Sequence, residues 1–135
     1  MTDALQNADA YPRLRRFNLI MGFLHLVQGV LMIVLSNDST RPIYTSFLTF
    51  DPERFALVPD PQVFVDLRFG PAVAIFLLLS AVAHFYLSTI GYKRYVGNLQ
   101  KGMNPIRFYE YALSSSVMIV VIALLVGIYE LAALI

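Results

Sequence analysis

The sequence predicts an all-α membrane protein with three transmembrane helices, forming a single membrane domain over residues 1–135. Hydrophobic residues make up 58% of the chain and charged residues only 14%. A soluble domain of this length leaves much of its surface in water, so it cannot bury so much apolar side chain. Three long apolar runs each reach the roughly 20 residues that a helix needs to cross a hydrocarbon core of about 30 Å.

The first apolar run predicts helix 1 over about residues 17–36, with the uncharged sequence "FNLIMGFLHLVQGVLMIVLS". Backbone groups in lipid must be paired within the segment, which favours a helix. A cleaved signal peptide is the alternative for a run near the N-terminus. The run is too long for the apolar region of a signal peptide, and no cleavage site of small residues follows it. A retained transmembrane helix is therefore predicted.

The connection over about residues 37–67 is long and rich in aromatic and β-branched residues, in "IYTSFLTF" and "RFALVPDPQVFV". This pattern favours a short β-hairpin with its turn around Asp51–Pro52. An irregular loop is the equally weighted alternative. If the strands form, their exposed edge could pair with a second subunit.

The other two runs predict helix 2 over about residues 69–92 and helix 3 over about residues 105–133, joined by a loop over residues 93–104. Asn104 stands where a helix N-cap is expected and Pro105 where the first helical residue is expected. Asn is a preferred cap and proline is tolerated at the first position, so helix 3 is predicted to begin there.

Basic residues predict the orientation of the helices. They flank the cytoplasmic side of membrane helices, and here they precede helix 1 and fill the connection between helices 2 and 3. The residues are Arg13, Arg15, Arg16, Lys93, Arg94, Lys101 and Arg107. The N-terminus is therefore predicted to be cytoplasmic, and the long first loop and the end of helix 3 extracellular, in a protein of the plasma membrane.

Polar residues within the spans are few, and such residues are costly in lipid. At 1.5 Å per residue, His25 and His84 each lie about 12 Å from the cytoplasmic boundary and Glu110 about 8 Å. One turn deeper lie Gln28, Ser80 and Ser114, at spacings that place each on the face of the polar residue above it. If the three faces turn inward, they form a polar pocket that supports proton exchange.

Purely structural roles are the alternative for these residues. A histidine in a membrane helix can simply bond a neighbouring helix, and Glu110 can be an interfacial carboxylate near a helix N-terminus. Ser115 and Ser116 serve equally well as small residues for close helix packing. The sequence contains none of the H-E-x-x-H, P-loop or G-x-G-x-x-G motifs, and it has no cysteine. We therefore predict neither an enzyme nor a metal site nor a nucleic-acid partner.

Three stretches, "GFLHLVQ", "LSAVAHF" and above all "YEYALSSSVMIV", resemble the first three helices of the heliorhodopsins. The resemblance runs from about Arg16 to the end of the chain. It implies a seven-helix rhodopsin bundle that binds all-trans retinal as a photoreceptor, with a cytoplasmic N-terminus. It also implies a homodimer formed through the long extracellular loop and the helices.

The resemblance also assigns roles to individual residues. Glu110 matches the counterion of the protonated retinal Schiff base, and His25 and His84 match histidines of a polar cavity on the cytoplasmic side. Gln28 and Ser80 are assigned to the same cavity by their depth and spacing. Ser114, Ser115 and Met118 match the retinal pocket, with Ser80 and Ser114 as hydrogen-bonding groups near the chromophore. Phe108 stands where the family has a tryptophan, so the position stays aromatic.

The family attaches retinal to a lysine in its seventh helix, whereas this chain has only Lys93 and Lys101, both in the predicted cytoplasmic connection. The chain is therefore expected to be the N-terminal portion of such a protein and unable to attach retinal by itself. Two other functions stay open. One is a light-driven or passive proton or ion transporter, and the other is a small three-helix membrane interaction protein.

Overall fold

The computed structural model describes residues 2–135, with side chains from Ala10 onward. Its elements are α1 (Thr2–Val34), β1 (Thr40–Asp51), β2 (Ala56–Arg68), α2 (Phe69–Ser88), α3 (Tyr92–Gln100), α4 (Pro105–Leu125) and α5 (Leu131–Leu134). Three helical segments are long and apolar enough to cross a membrane: Ala10–Val34, Phe69–Ser88 and Pro105–Leu125. The prediction of three transmembrane helices is confirmed.

The first helix starts well before residue 17, because α1 continues back to Thr2. That extension contains alanine and leucine, which have high helix propensity. The second helix ends at Ser88 rather than at residue 92, and the predicted loop over residues 93–104 contains the short helix α3.

The third membrane helix ends at Leu125, not at residue 133. Gly127 follows in the left-handed region, with φ of 91°. Its N–H bonds to the carbonyl of Leu124, and the N–H of Ile128 bonds to the carbonyl of Ala123 at 2.9 Å. These two bonds form a Schellman motif, which terminates a helix and favours glycine at this position. The remaining predicted residues form a turn and α5.

The long connection is a β-hairpin, so the hairpin prediction is confirmed over the irregular loop. β1 and β2 pair antiparallel from Thr40 opposite Arg68 to Asp51 opposite Ala56, with an irregularity between Ile43 and Tyr44. The Asp51 carboxylate accepts hydrogen bonds from two backbone N–H groups in the turn, those of Glu53 and Arg54. An aspartate that bonds the backbone ahead of it stabilises a turn at this point.

The helix α2 lies between the other two membrane helices, and α1 and α4 both pack along it. Small residues make this close approach possible on the α1 side. A Cβ atom at Gly22 would lie 3.0 Å from the ring of Phe85, and one at Gly29 would lie 2.9 Å from Cδ2 of Leu78. Small residues at such interfaces let helix backbones come together in lipid, where no hydrophobic force drives association.

The hairpin is joined to the segment that follows α4. The N–H of Tyr44 donates to the carbonyl of Tyr129 at 2.8 Å. The carboxylate of Glu130 accepts hydrogen bonds from the N–H and the hydroxyl of Ser46, at 3.1 and 2.8 Å. The first strand and the end of the third membrane helix are thus connected at the same end of the molecule.

Candidate functional site

Glu110 lies in the first part of α4 and is buried, with 7% of its surface exposed. The hydroxyl of Ser80 on α2 donates to its Oε1 at 2.5 Å, and the hydroxyl of Ser114 donates to the same atom at 3.2 Å. Ser114 is four residues further along α4, so the two side chains share one helix face. A buried carboxylate is costly unless it is paired, and two hydroxyl donors satisfy one of its oxygens.

Arg107 is the cationic partner of this carboxylate. Its Nη1 lies 3.1 Å from Oε2 of Glu110, and the two residues are three apart on α4. The contact is an ion pair without a directed hydrogen bond, because Oε2 has no donor of suitable geometry among the residues whose side chains are described. The carboxylate therefore has charge compensation and one oxygen that can still accept a hydrogen bond.

His84 on α2 connects Arg107 to α1. Its Nδ1 lies 2.8 Å from Oδ1 of Asn18, and its Nε2 lies 3.3 Å from Nη1 of Arg107. The amide nitrogen of Asn18 donates to the carbonyl of Leu14, so its oxygen faces the histidine. An arginine can only donate, which leaves the acceptor role to Nε2 and the proton to Nδ1. The network thus assigns His84 to the neutral tautomer with the proton on Nδ1.

His25 on α1 stacks against His84, with ring centroids 5.5 Å apart and planes at 19°. Its Nδ1 is buried and finds no hydrogen-bond partner among the described side chains and backbone groups. Both predicted histidines therefore lie together, at the level of Glu110. One continuous polar network crosses the three membrane helices, through Asn18, His84, Arg107, Glu110, Ser80 and Ser114.

Other predicted site residues lie apart from this network. Gln28 is exposed on α1. Ser115 donates to the carbonyl of Tyr111 in its own helix, and Ser116 likewise to that of Ala112. Met118 is 40% exposed. Their assignment to the polar cavity or the retinal pocket stays a prediction.

The set of site residues predicted from the sequence does not include two members of the network, Arg107 and Asn18. Arg107 was interpreted only as a basic residue of the connection, although its spacing of three from Glu110 is typical of a helical ion pair. Asn18 stands seven residues before His25, which is close to two helical turns and therefore on nearly the same face. Both spacings are visible in the sequence and could have indicated the contacts.

The family model for heliorhodopsin matches residues 14–135. The chain belongs to the heliorhodopsin family. Among curated proteins, no sequence matches it. The matched range contains Asn18, Glu110 and every other residue of the polar network, as well as the hairpin. This heliorhodopsin chain is thus a membrane protein whose buried network lies within the matched range.

The network of this heliorhodopsin chain holds a carboxylate and a guanidinium in contact within the third membrane helix. Its carboxylate is buried and accepts hydrogen bonds from two serine hydroxyl groups on one oxygen, while the other oxygen accepts no directed hydrogen bond from the described residues. Charge-assisted hydrogen bonds of this kind are roughly twice as strong as neutral ones.

Proposed function

We propose that the chain forms the first three membrane helices of a retinal photoreceptor, with Glu110 as counterion of the protonated Schiff base. The observation that supports this is Oε2 of a buried, ion-paired carboxylate, which accepts no directed hydrogen bond from the described residues. Such an atom would accept the hydrogen bond of a cationic N–H group. His25 and His84, stacked beside it, would form the polar cavity on the cytoplasmic side.

Retinal, when bound, supplies a light-absorbing polyene and a cationic nitrogen. The residues of this chain would then hold charge and shape around it. Ser80 and Ser114 fix the position of the carboxylate through their hydroxyl groups. Met118 lies two helical spacings beyond Glu110 on α4 and would contact the polyene, with Ser115 beside it.

The attachment lysine must come from a part of the protein other than these three helices. Lys93 lies on α3 and Lys101 directly after it, outside the membrane-spanning segments. The proposal therefore includes a continuation of the chain that provides a lysine embedded in the membrane. The same proposal includes a cytoplasmic N-terminus in the plasma membrane and a homodimer formed through the extracellular hairpin and the helices.

The charge pair can be tested by absorption spectroscopy of the full-length protein with all-trans retinal. Glu110→Gln removes the negative charge but keeps the size of the side chain. The Schiff base would then lose its stabilising partner, so the visible band is expected to shift strongly or to give way to a near-ultraviolet band of the deprotonated form. Glu130→Gln, at the hairpin, serves as the control and should leave the band in place. An unchanged band in Glu110→Gln would contradict the counterion role.

Ion transport is the second candidate function, and a measurement of light-induced current distinguishes it from a photoreceptor function. The residues of α4 from Val117 to Leu125 are all apolar, so the polar network does not continue along this helix. We therefore expect no steady light-induced current across membranes that hold the full-length protein. Sustained currents would favour the transporter. If instead retinal gives no shifted band with the full-length protein, a membrane interaction protein would be the better account.

A further inference from the structure

A cavity of about 530 Å³ lies at the end of the molecule where α1 enters the membrane segment and α2 meets α3. It is separate from the Glu110 network. Its lining consists of two arginines, two hydroxyl-bearing residues, a tyrosine and two apolar residues: Arg15, Arg16, Ser88, Thr89, Tyr92, Pro12 and Leu19. Such a combination suits a ligand with an anionic end and an apolar end.

Arg15 is fixed in orientation within this cavity. Its Nε donates to the carbonyl of Ser88 at 2.8 Å, and its guanidinium carbon lies 4.9 Å from the ring centroid of Tyr92. These contacts occupy one N–H and one face of the guanidinium. The terminal N–H groups make no hydrogen bond to any described residue, so they can donate to an anion. Guanidinium groups bind phosphate in this forked manner.

The positive charge around the cavity is not compensated by the described part of the chain. None of the carboxylates whose side chains are described lies within 4 Å of Arg15 or Arg16. Lys93 and Arg94 follow Tyr92 directly on α3 and are both exposed. Two basic residues thus line the cavity and two more follow one of its lining residues in the chain, and each basic residue near a membrane surface adds to the attraction of anionic lipid.

The depth of the cavity selects a lipid as its ligand. Arg15 and Arg16 directly precede Phe17, where the uncharged run of α1 begins. The arginines therefore lie at the level of the lipid headgroups, and Leu19 lies one turn deeper toward the acyl chains. We propose that this cavity is a binding site for an anionic phospholipid, with the phosphate on Arg15 and Arg16 and the upper acyl region on Leu19.

Native mass spectrometry of the full-length protein in detergent, with equal amounts of phosphatidylglycerol and phosphatidylcholine, tests this site. We expect preferential retention of phosphatidylglycerol. Arg16→Gln should lower that retention about tenfold, because it removes the charge-assisted hydrogen bonds from this guanidinium to the bound phosphate. Thr89→Glu, which leaves both arginines in place, should lower it at least as much through charge repulsion. Both variants should keep the helical circular dichroism of the unmodified protein.

Arg13→Gln is the matched control, because it removes the same charge from an exposed position of the same helix outside the cavity lining. It should change retention less than about twofold. Equal losses in Arg13→Gln and Arg16→Gln would overturn the site in favour of general surface attraction, as would equal retention of the two lipids. Displacement of the lipid by millimolar inorganic phosphate would assign the cavity to a soluble anion and would also overturn the proposal.

Discussion

Arg107 lies one helical turn before Glu110, and its charge offsets the desolvation cost of this buried carboxylate. A lone ionised carboxylate loses its hydration on burial, and the loss far exceeds what one hydrogen bond returns. Here the arginine three residues earlier brings its charge to 3.1 Å, while its own side chain stays partly accessible at 22%. The arginine can therefore retain some hydration while it compensates the buried charge.

This pairing predicts strong coupling between the two residues. Arg107→Gln is expected to lower the free energy of unfolding by roughly 3 kcal/mol, because it leaves a buried charge without its partner. Arg107→Gln combined with Glu110→Gln should recover much of that loss, since neither charge then remains. Unfolding of the retinal-free full-length protein in mixed detergent micelles measures Arg107→Gln, Glu110→Gln and the double variant.

The exposed pair between Arg54 and Asp51 provides the control for this cycle. It has a similar spacing of three residues and a distance of 3.5 Å, but the arginine side chain is 75% accessible. A surface pair of this kind contributes little. A coupling for Arg107 and Glu110 no larger than that of the exposed pair would contradict the structural account.

The depth of site residues could be predicted from the sequence, whereas their rotation about the helix axis could not. The rise per residue is nearly constant, so counting places His25, His84 and Glu110 at one level. Rotation depends on which neighbour the helix packs against. Gln28, three residues after His25, is exposed, while Asn18, seven residues before it, is buried at 3% and bonds His84.

At the scale of elements, glycines decide where helices end and where they meet. Gly127 closes α4 through its left-handed conformation, as Gly102 closes α3 with φ of 70°. An apolar run continues past Leu125, so hydropathy alone predicts too long a helix. Gly22 and Gly29, in contrast, serve the contact between α1 and α2.

The contact at Gly29 predicts a loss of stability on adding a single methyl group. Gly29→Ala would place Cβ 2.9 Å from Leu78, so the helices must separate or Leu78 must change its rotamer. We expect a loss of about 1–3 kcal/mol in unfolding experiments, as for other overpacked sites. Gly97→Ala on α3, where no described atom lies within 4 Å of the new Cβ, should be neutral or stabilising by up to about 1 kcal/mol. Equal effects of the two substitutions would argue against close packing at Gly29.

The bond between Glu130 and Ser46 predicts how the hairpin is held. Glu130→Ala removes both hydrogen bonds, each worth about 1 kcal/mol net. The backbone amide of Ser46 should then exchange with deuterium about fivefold faster or more, while amides inside α2 keep their rates. Glu53→Ala, at the tip of the hairpin, is the control. If Glu53→Ala accelerated amide exchange at Ser46 as much as Glu130→Ala, the faster exchange would not be due to loss of the bonds between Glu130 and Ser46.

At the scale of the whole molecule, the basic segments and the hairpin lie at opposite ends of the three membrane helices. The basic residues before α1 and on α3 share one end, and the hairpin lies at the other, beside the end of α4. The orientation inferred from the basic residues, in which the hairpin is extracellular, stays a prediction.

The absence of cysteine from the sequence makes this polarity directly measurable. A single Lys101→Cys substitution should react with a membrane-impermeant maleimide only in inverted vesicles. Glu53→Cys, in the turn of the hairpin, should react only in intact cells. The unsubstituted chain serves as the background control. The reverse pattern would show that the N-terminus is extracellular.

The sequence by itself determined the number of membrane helices, the presence of polar groups at matched depth and the tendency of the first loop to form strands. These properties are local, since they depend on the run length of apolar residues, on a constant helical rise and on side-chain shape. Only the tertiary structure decided that α2 lies in the middle, that Arg107 pairs with Glu110 and that Asn18 rather than Gln28 bonds His84. Those outcomes depend on which helix faces meet, and the meeting of faces is set by packing between segments that are distant in the chain.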